Sequence, residues 1–297
     1  MKTPLADLLK RKRPAILSGA MGTEIERRGV SIALPLWSAA SVRTAPDVVL
    51  QIHRDYIEAG ADIIVTNTFR TNRRVFAEAH LSDESLAYTS KAVELAMKAR
   101  SEFHGRSVLI AGCLAPVEDC YQPDIVPTAA DLDSEHGEMA ARLSTAGVDF
   151  FLVETMTTIR EAYAACAAAM RTGKEAIVSF TCKHDGTLYG GEQLTDGIRA
   201  LAGLHPAIFS LNCISPRYLT PLLQALKSTL AELKLETPFA VYGNIGKPDV
   251  RDGVFVRDVD EREYAQFARE WKELGAAVIG GCCGTTPAYI RELARVL

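Results

Sequence analysis

The chain has 297 residues, 48% of them hydrophobic and 24% charged, enough to bury a large core in one domain or two small ones. A net charge of -4 with a pI near 5.9 provides no basic footprint for nucleic acid, and the basic cluster at 10–13 reads as a solvated helix end. No apolar stretch approaches the roughly 18 residues of a membrane span, no secretory leader is evident, and the odd number of cysteines argues against disulfide staples, so reduced thiols and a cytoplasmic setting are expected.

In chain order, a short amphipathic segment at 5–9 precedes residues 14–20, the first buried-strand candidate, which a glycine-bearing turn follows. Residues 47–59 carry apolar side chains at helical spacing and end at Gly60, a helix stop, after which 61–67 reads as the second strand. The alternation repeats: helix 83–103 into strand 108–113, helix 134–146 with Gly147 into strand 148–154, and helix 158–172 with Gly173 into strand 176–181. A helix near 195–204 leads to strand 207–213, and helix 217–235 to strand 239–244. Helix 260–274 with Gly275 leads to a strand from 276, and helix 287–297 closes the chain. About eight strand–helix units with continuously apolar strands predict an α/β fold, a single (β/α)8 TIM barrel spanning 1–297. A doubly wound open sheet is the runner-up, disfavoured because no Gly-x-Gly-x-x-Gly follows a strand. Related turns at 59–62, 146–149 and 274–277 mark equivalent helix-to-strand junctions rather than a solenoid.

A barrel gathers its chemistry at the C-terminal ends of its strands. Residues 19–21, 67–69, Cys113, Glu154, Cys182, Cys213, Asn244, Cys282 and Cys283 would all lie on that rim. The adjacent pair Cys282-Cys283 sits between Gly281 and Gly284, with a helix start at 285–287. Successive strand side chains point to opposite faces, so both sulfurs reach one ion only if a turn intervenes. Cys213, at the sixth strand, lies two strands from the pair at the eighth, with Asn244 between. Three sulfurs and an open fourth position suit a zinc ion. The competing reading is that free cysteines simply pack as small hydrophobes, and the spacing matches no common zinc-finger pattern.

Taken together, Ser-Gly-Ala-Met-Gly-Thr-Glu at 18–24, Thr-Asn-Thr-Phe at 66–69, Val-Glu-Thr at 153–155, Leu-Asn-Cys at 211–213 and Gly-Gly-Cys-Cys at 280–283 resemble the homocysteine S-methyltransferase family. That family includes the S-methylmethionine and betaine enzymes and the homocysteine module of cobalamin-dependent methionine synthase. The resemblance implies zinc held by Cys213, Cys282 and Cys283, with homocysteine as fourth ligand and methionine as product. A free thiol is mostly protonated at neutral pH, whereas a zinc-bound one is deprotonated outright, so no side-chain base is essential. It further implies that Glu154 binds the homocysteine amino group and that the backbone of Gly19, Ala20 and Met21 approaches the amino acid. Trp37 would line the donor pocket, where an aromatic face suits a cation. Asn244 either ligates zinc through oxygen when the thiol is absent or caps a turn. Cys113 and Cys182 read as packing residues, Cys120 and Cys166 as loop and helix cysteines.

The chain departs from the family pattern where Ser18 replaces a common aspartate, and where Arg70 and Thr155 replace the tyrosines of the betaine enzymes. An arginine near a cationic methyl is unfavourable unless it points away. The sequence also stops after the last barrel helix. These features favour a free-standing enzyme using a small sulfonium donor, S-methylmethionine or S-adenosylmethionine. The alternatives are a homocysteine-binding subunit that works with a separate corrinoid protein, a betaine-type donor, or a thiol-binding barrel without transfer. Long segments after the first, third, fifth and seventh strands, notably 115–130 and 183–195, are expected to shape the donor site.

Overall fold

A computed structural model describes residues 3–248 and 255–297. Seven strands in chain order are β1 (Ala15–Ile16), β2 (Ile63–Val65), β3 (Leu109–Leu114), β4 (Phe150–Met156), β5 (Ala176–Phe180), β6 (Ile208–Asn212) and β7 (Phe239–Gly243), and the closing strand of the barrel is Val278–Gly281. From β2 onward each pairs in parallel with the next, β7 pairs with the closing strand, and the closing strand pairs with β1. A parallel bridge between Leu17 and Ile63 joins β1 to β2 and completes the circle, so the fold is a (β/α)8 barrel.

Local sequence sets the helices between the strands. Helix Pro46–Ala59 starts with proline at its first turn and stops at Gly60, whose φ of 114° is left-handed. Helix Ala129–Ala146 begins earlier than the periodicity indicates, because Thr128 accepts a hydrogen bond from the Asp131 amide and caps it there. Asp260 caps Glu261–Leu274 in the same way. Short helices that the apolar pattern does not reveal, Gly22–Arg27 and Arg73–Glu78, build the rim after β1 and β2.

Two apolar layers result. Phe151, Val153, Val178, Phe209, Leu211, Val241 and Ile279 face outward into a cluster with helix residues such as Leu143, Leu223, Ala268 and Trp271. The alternate residues Phe150, Leu152, Ile177, Ile208, Ala240, Tyr242 and Val278 fill the interior. Leu5 and Leu8, from helix Pro4–Leu9, belong to this inner cluster and plug the N-terminal end. The amphipathic segment at 5–9 is thus a stopper. β4 runs on to Met156, so Glu154 precedes the strand's end instead of forming it. After β7 a small antiparallel hairpin pairs Gly246–Pro248 with Phe255–Arg257; the rest of the long segment expected there lies outside the described residues. Among the described residues no helix is long and apolar enough to cross a membrane.

Candidate metal and substrate site

Three sulfurs meet at the C-terminal mouth of the barrel. The Sγ atoms of Cys213, Cys282 and Cys283 all lie within 4.8 Å of one another, with Cys213 and Cys283 3.6 Å apart. On β6, Ile208, Ser210 and Asn212 share the interior face, which sends the next residue outward. Cys213 escapes that alternation through a left-handed backbone, φ 57°, just beyond the strand. The closing strand ends at Gly281, and the turn after it has Thr285 N donating to Cys282 O at 3.1 Å. The intervening turn inferred from the sequence is therefore present.

The glycines act differently from that expectation. Gly284 has φ 80°, but Gly281 is needed for space: a Cβ there would lie 2.4 Å from Thr285 Oγ1. A Cβ on Gly280 would sit 2.5 Å from Leu17 Cβ and 2.9 Å from its carbonyl oxygen. Close approach of two strands thus dictates the Gly-Gly before the cysteines.

Asn212 holds the two halves of the site together. It is fully buried; its Oδ1 accepts from Thr155 N at 3.0 Å, its Nδ2 donates to Thr155 Oγ1 at 2.8 Å, and Nδ2 also reaches Cys282 Sγ at 3.9 Å. Thr155 lies where the β4–β5 register shifts, with φ 60°. Because Phe150 and Leu152 point inward, Glu154 continues the same face and opens into the cavity above them. Burial pushes its carboxyl up to about 7, with negative charge on Cys213 adding to the rise and hydrogen bonding with Cys113 and Tyr242 opposing it.

The donor set fits a soft divalent metal. Hydrogen bonds from Cys282 and Cys283 hold the Cys213 thiol well below its ordinary range, while sharing that charge raises both neighbours. Three thiols this close, sharing hydrogen bonds, form a cluster that a cation would complete by releasing their protons. All three are half-buried and face a cavity, so a ligand can reach them. Three thiolates and an accessible fourth position suit zinc. By contrast, Cys166 is buried and pushed up by that burial to about 12, and burial together with neighbouring Glu154 raises Cys113.

The cavity has a volume of about 250 Å³. It brings together the three cysteines, Glu154, Gly19, Ala20, Met21 and Trp37, all singled out in the sequence. Gly19 must be small, since a Cβ would lie 2.8 Å from both Thr285 Oγ1 and the Tyr56 hydroxyl. Tyr56 donates to Ala20 O at 2.6 Å and Thr285 Oγ1 accepts from Ala20 N at 3.2 Å, tying the glycine loop to the cysteine turn. Trp37 stands edge-on to Phe69, with ring centroids 5.7 Å apart. Ser18 lines the cavity, and its hydroxyl accepts from Val65 N. Asn244 is not part of this lining; its Nδ2 donates to Cys213 O at 3.4 Å.

The sequence reading missed Cys120 and Tyr121. Both line the cavity, and the Tyr121 hydroxyl lies 3.4 Å from Cys213 Sγ. Tyr121 packs edge-on against Tyr189 at 5.3 Å, so the 115–130 and 183–195 segments meet over the sulfurs. The only signal in the sequence was the length of those two segments.

Comparison with known proteins agrees with this geometry. The family model described as homocysteine S-methyltransferase matches residues 15–297. The Homocysteine S-methyltransferase of Escherichia coli (strain K12) is 32% identical, over 98% of this chain and 97% of that protein. The Selenocysteine methyltransferase of Astragalus bisulcatus is 28% identical, over 100% and 97%. Among solved structures, the metallated form of the homocysteine methyltransferase MmuM from Escherichia coli superposes with a TM-score of 0.86 at 30% identity, covering 99% of each chain.

Proposed function

The chain belongs to the homocysteine S-methyltransferase family, and from that premise we propose a zinc-dependent methyl transfer to the thiol of homocysteine. The donor is a small sulfonium compound, S-methylmethionine or S-adenosylmethionine, and the product is methionine. Residues 1–297 act as one catalytic domain, in the cytoplasm, where thiols stay reduced. The observation that carries this reading is the convergence of Cys213, Cys282 and Cys283 on a cavity that also holds Glu154 and an aromatic wall.

Each residue has a physical task. Zinc bound by the three cysteines would supply a Lewis acid that keeps the homocysteine thiol deprotonated at neutral pH. Glu154 takes the ammonium group of homocysteine; an ammonium neighbour favours its ionised form and offsets the burial that raises it to about 7. Gly19, Ala20 and Met21 bring backbone close to the amino acid. Trp37 and Phe69 form an apolar wall that receives the sulfonium and excludes water from it. The acceptor sulfur gives a lone pair to the methyl carbon as the carbon–sulfur bond of the donor breaks. That bond's electrons return to the donor sulfur, which leaves as a neutral thioether. Charge is cancelled in the transfer, so holding both partners in line in a dry cavity supplies much of the acceleration.

The test is methionine formation by purified, zinc-loaded protein with homocysteine, offering S-methylmethionine, S-adenosylmethionine, betaine and dimethylsulfoniopropionate in parallel. Stoichiometric zinc and turnover with a sulfonium donor, absent in Cys283→Ala, are expected. Zinc without turnover from any small donor would redirect the reading to a corrinoid partner. Folded, reduced protein that takes up no zinc would sink it.

A further inference from the structure

Arg70 and Asp119 both line the cavity, and the transfer described above gives neither a task. Arg70 follows Phe69 on the segment after β2, is half-buried, and among the described residues makes no hydrogen bond or ion pair. Asp119 is half-buried on the segment after β3. Its Oδ1 accepts from Tyr121 N at 3.0 Å and its Oδ2 from Gln122 Nε2 at 2.8 Å. Those local bonds fix the carboxylate without neutralising it, and each oxygen keeps a free lone pair. The cavity therefore carries one positive and one negative group that are not paired with each other.

Unpaired charges beside apolar walls such as Trp37, Phe69 and Leu34 are costly unless a ligand supplies the counter-charges. A ligand that satisfies both at once carries a carboxylate and an ammonium. The acceptor already has Glu154 for its ammonium, next to the sulfurs. We propose that Arg70 and Asp119 read the α-amino-acid headgroup of the methyl donor, Arg70 taking its carboxylate in a forked pair and Asp119 its ammonium. This rests on the methyl-transfer reading and narrows it: the donor is an amino-acid sulfonium, not a betaine or a sulfonium acid without an amino group. It also removes the difficulty of an arginine near a cationic methyl, because the donor's own carboxylate lies against the guanidinium.

The experiment is calorimetric titration of zinc-loaded protein without homocysteine, so that no transfer occurs. The probes are S-methylmethionine and 4-(dimethylsulfonio)butanoate, which share the sulfonium, the chain length and the carboxylate and differ only in the ammonium. Wild-type protein should bind S-methylmethionine at least about tenfold more tightly, as expected for one charge-assisted contact. Asp119→Asn should lose that advantage and leave 4-(dimethylsulfonio)butanoate affinity unchanged. Arg70→Met should weaken both probes. Zinc content and homocysteine affinity, measured on each variant, should match wild type and certify the fold. Equal affinity for the two probes in wild type, or no response to either substitution, overturns the proposal. So does an Arg70→Met variant that loses homocysteine instead of donor. Methionine formation is scored separately. Headgroup-dependent binding without turnover refutes the transfer reading alone, whereas turnover indifferent to both substitutions refutes the headgroup site alone.

Discussion

Replacing Asn212 by alanine removes three interactions from a fully buried position: the bond from Thr155 N at 3.0 Å, the bond to Thr155 Oγ1 at 2.8 Å, and the approach to Cys282 Sγ at 3.9 Å. A net hydrogen bond contributes about 1 kcal/mol, and a buried amide left unpaired costs roughly 1–3 kcal/mol. Thr155 is buried, so its N–H has no ready access to solvent. The sum is about 3 kcal/mol of stability, or a fall of roughly 5 °C or more in melting temperature for a chain of this size. The same side chain sets the position of a metal-binding sulfur and of the strand irregularity beside Glu154. Contacts that orient metal ligands are typically worth about 10–100-fold in metal affinity. Asn212→Ala should therefore show both a lower melting temperature as metal-free protein and weaker zinc in a chelator competition, with a raised KM for homocysteine. A variant that melts lower yet keeps wild-type zinc affinity and KM would refute the coupling of β4 to the metal site through this residue.

Glu154→Gln should raise the KM for homocysteine by roughly tenfold or more, read in steady-state assays, because the ammonium loses its charge-assisted partner. Its pH signature is equally specific. In the metal-free protein the folded-state value is raised from 4.5 to about 7, so the acid form contributes stability that is fully present below pH ~4.5 and lost as pH rises through about 7, at most about 3 kcal/mol. Denaturant curves at pH 5 and 8 should show this difference in wild type and a smaller one in Glu154→Gln. Gly280→Ala forces a Cβ to 2.5 Å from Leu17 Cβ; thermal unfolding should fall by the equivalent of about 2 kcal/mol or more, together with the zinc content. Chelation of the metal should abolish methionine formation while the circular dichroism spectrum stays that of the barrel, and added zinc should restore activity.

The barrel and the three cysteines were legible in the sequence for a physical reason: continuous apolar strands need helices on their outer face, and each cysteine follows such a run. Helix stops at Gly60, Gly147 and Gly275 all fall where the left-handed cap was expected. What stayed hidden depends on contacts between distant parts of the chain. Tyr121 reaches Cys213 because its loop is pinned at Val117, whose N–H donates to Glu161 and whose carbonyl accepts from Asn72, side chains 44 and 45 residues away. No periodicity announces such clamps. Asn212 was visible as part of a motif, but its partner Thr155 lies 57 residues off. Trp37 was read as a wall, yet the helix start that receives it was not; a Cβ on Gly22 would lie 2.4 Å from the Trp37 ring.

The stopper formed by Leu5 and Leu8 has a consequence for traffic. With that end of the barrel filled, traffic to the cavity runs, among the described residues, through the mouth that holds the sulfurs. On the proposed reading the acceptor sits deepest, against the sulfurs, and the donor lies nearer the entrance between Arg70 and Asp119. The acceptor must then arrive first, and methionine must wait for the demethylated donor to depart. Product inhibition with S-adenosylmethionine as donor follows from that queue: methionine should compete with homocysteine, and S-adenosylhomocysteine should trap methionine inside; with S-methylmethionine the spent donor is itself methionine, which should then occupy both positions.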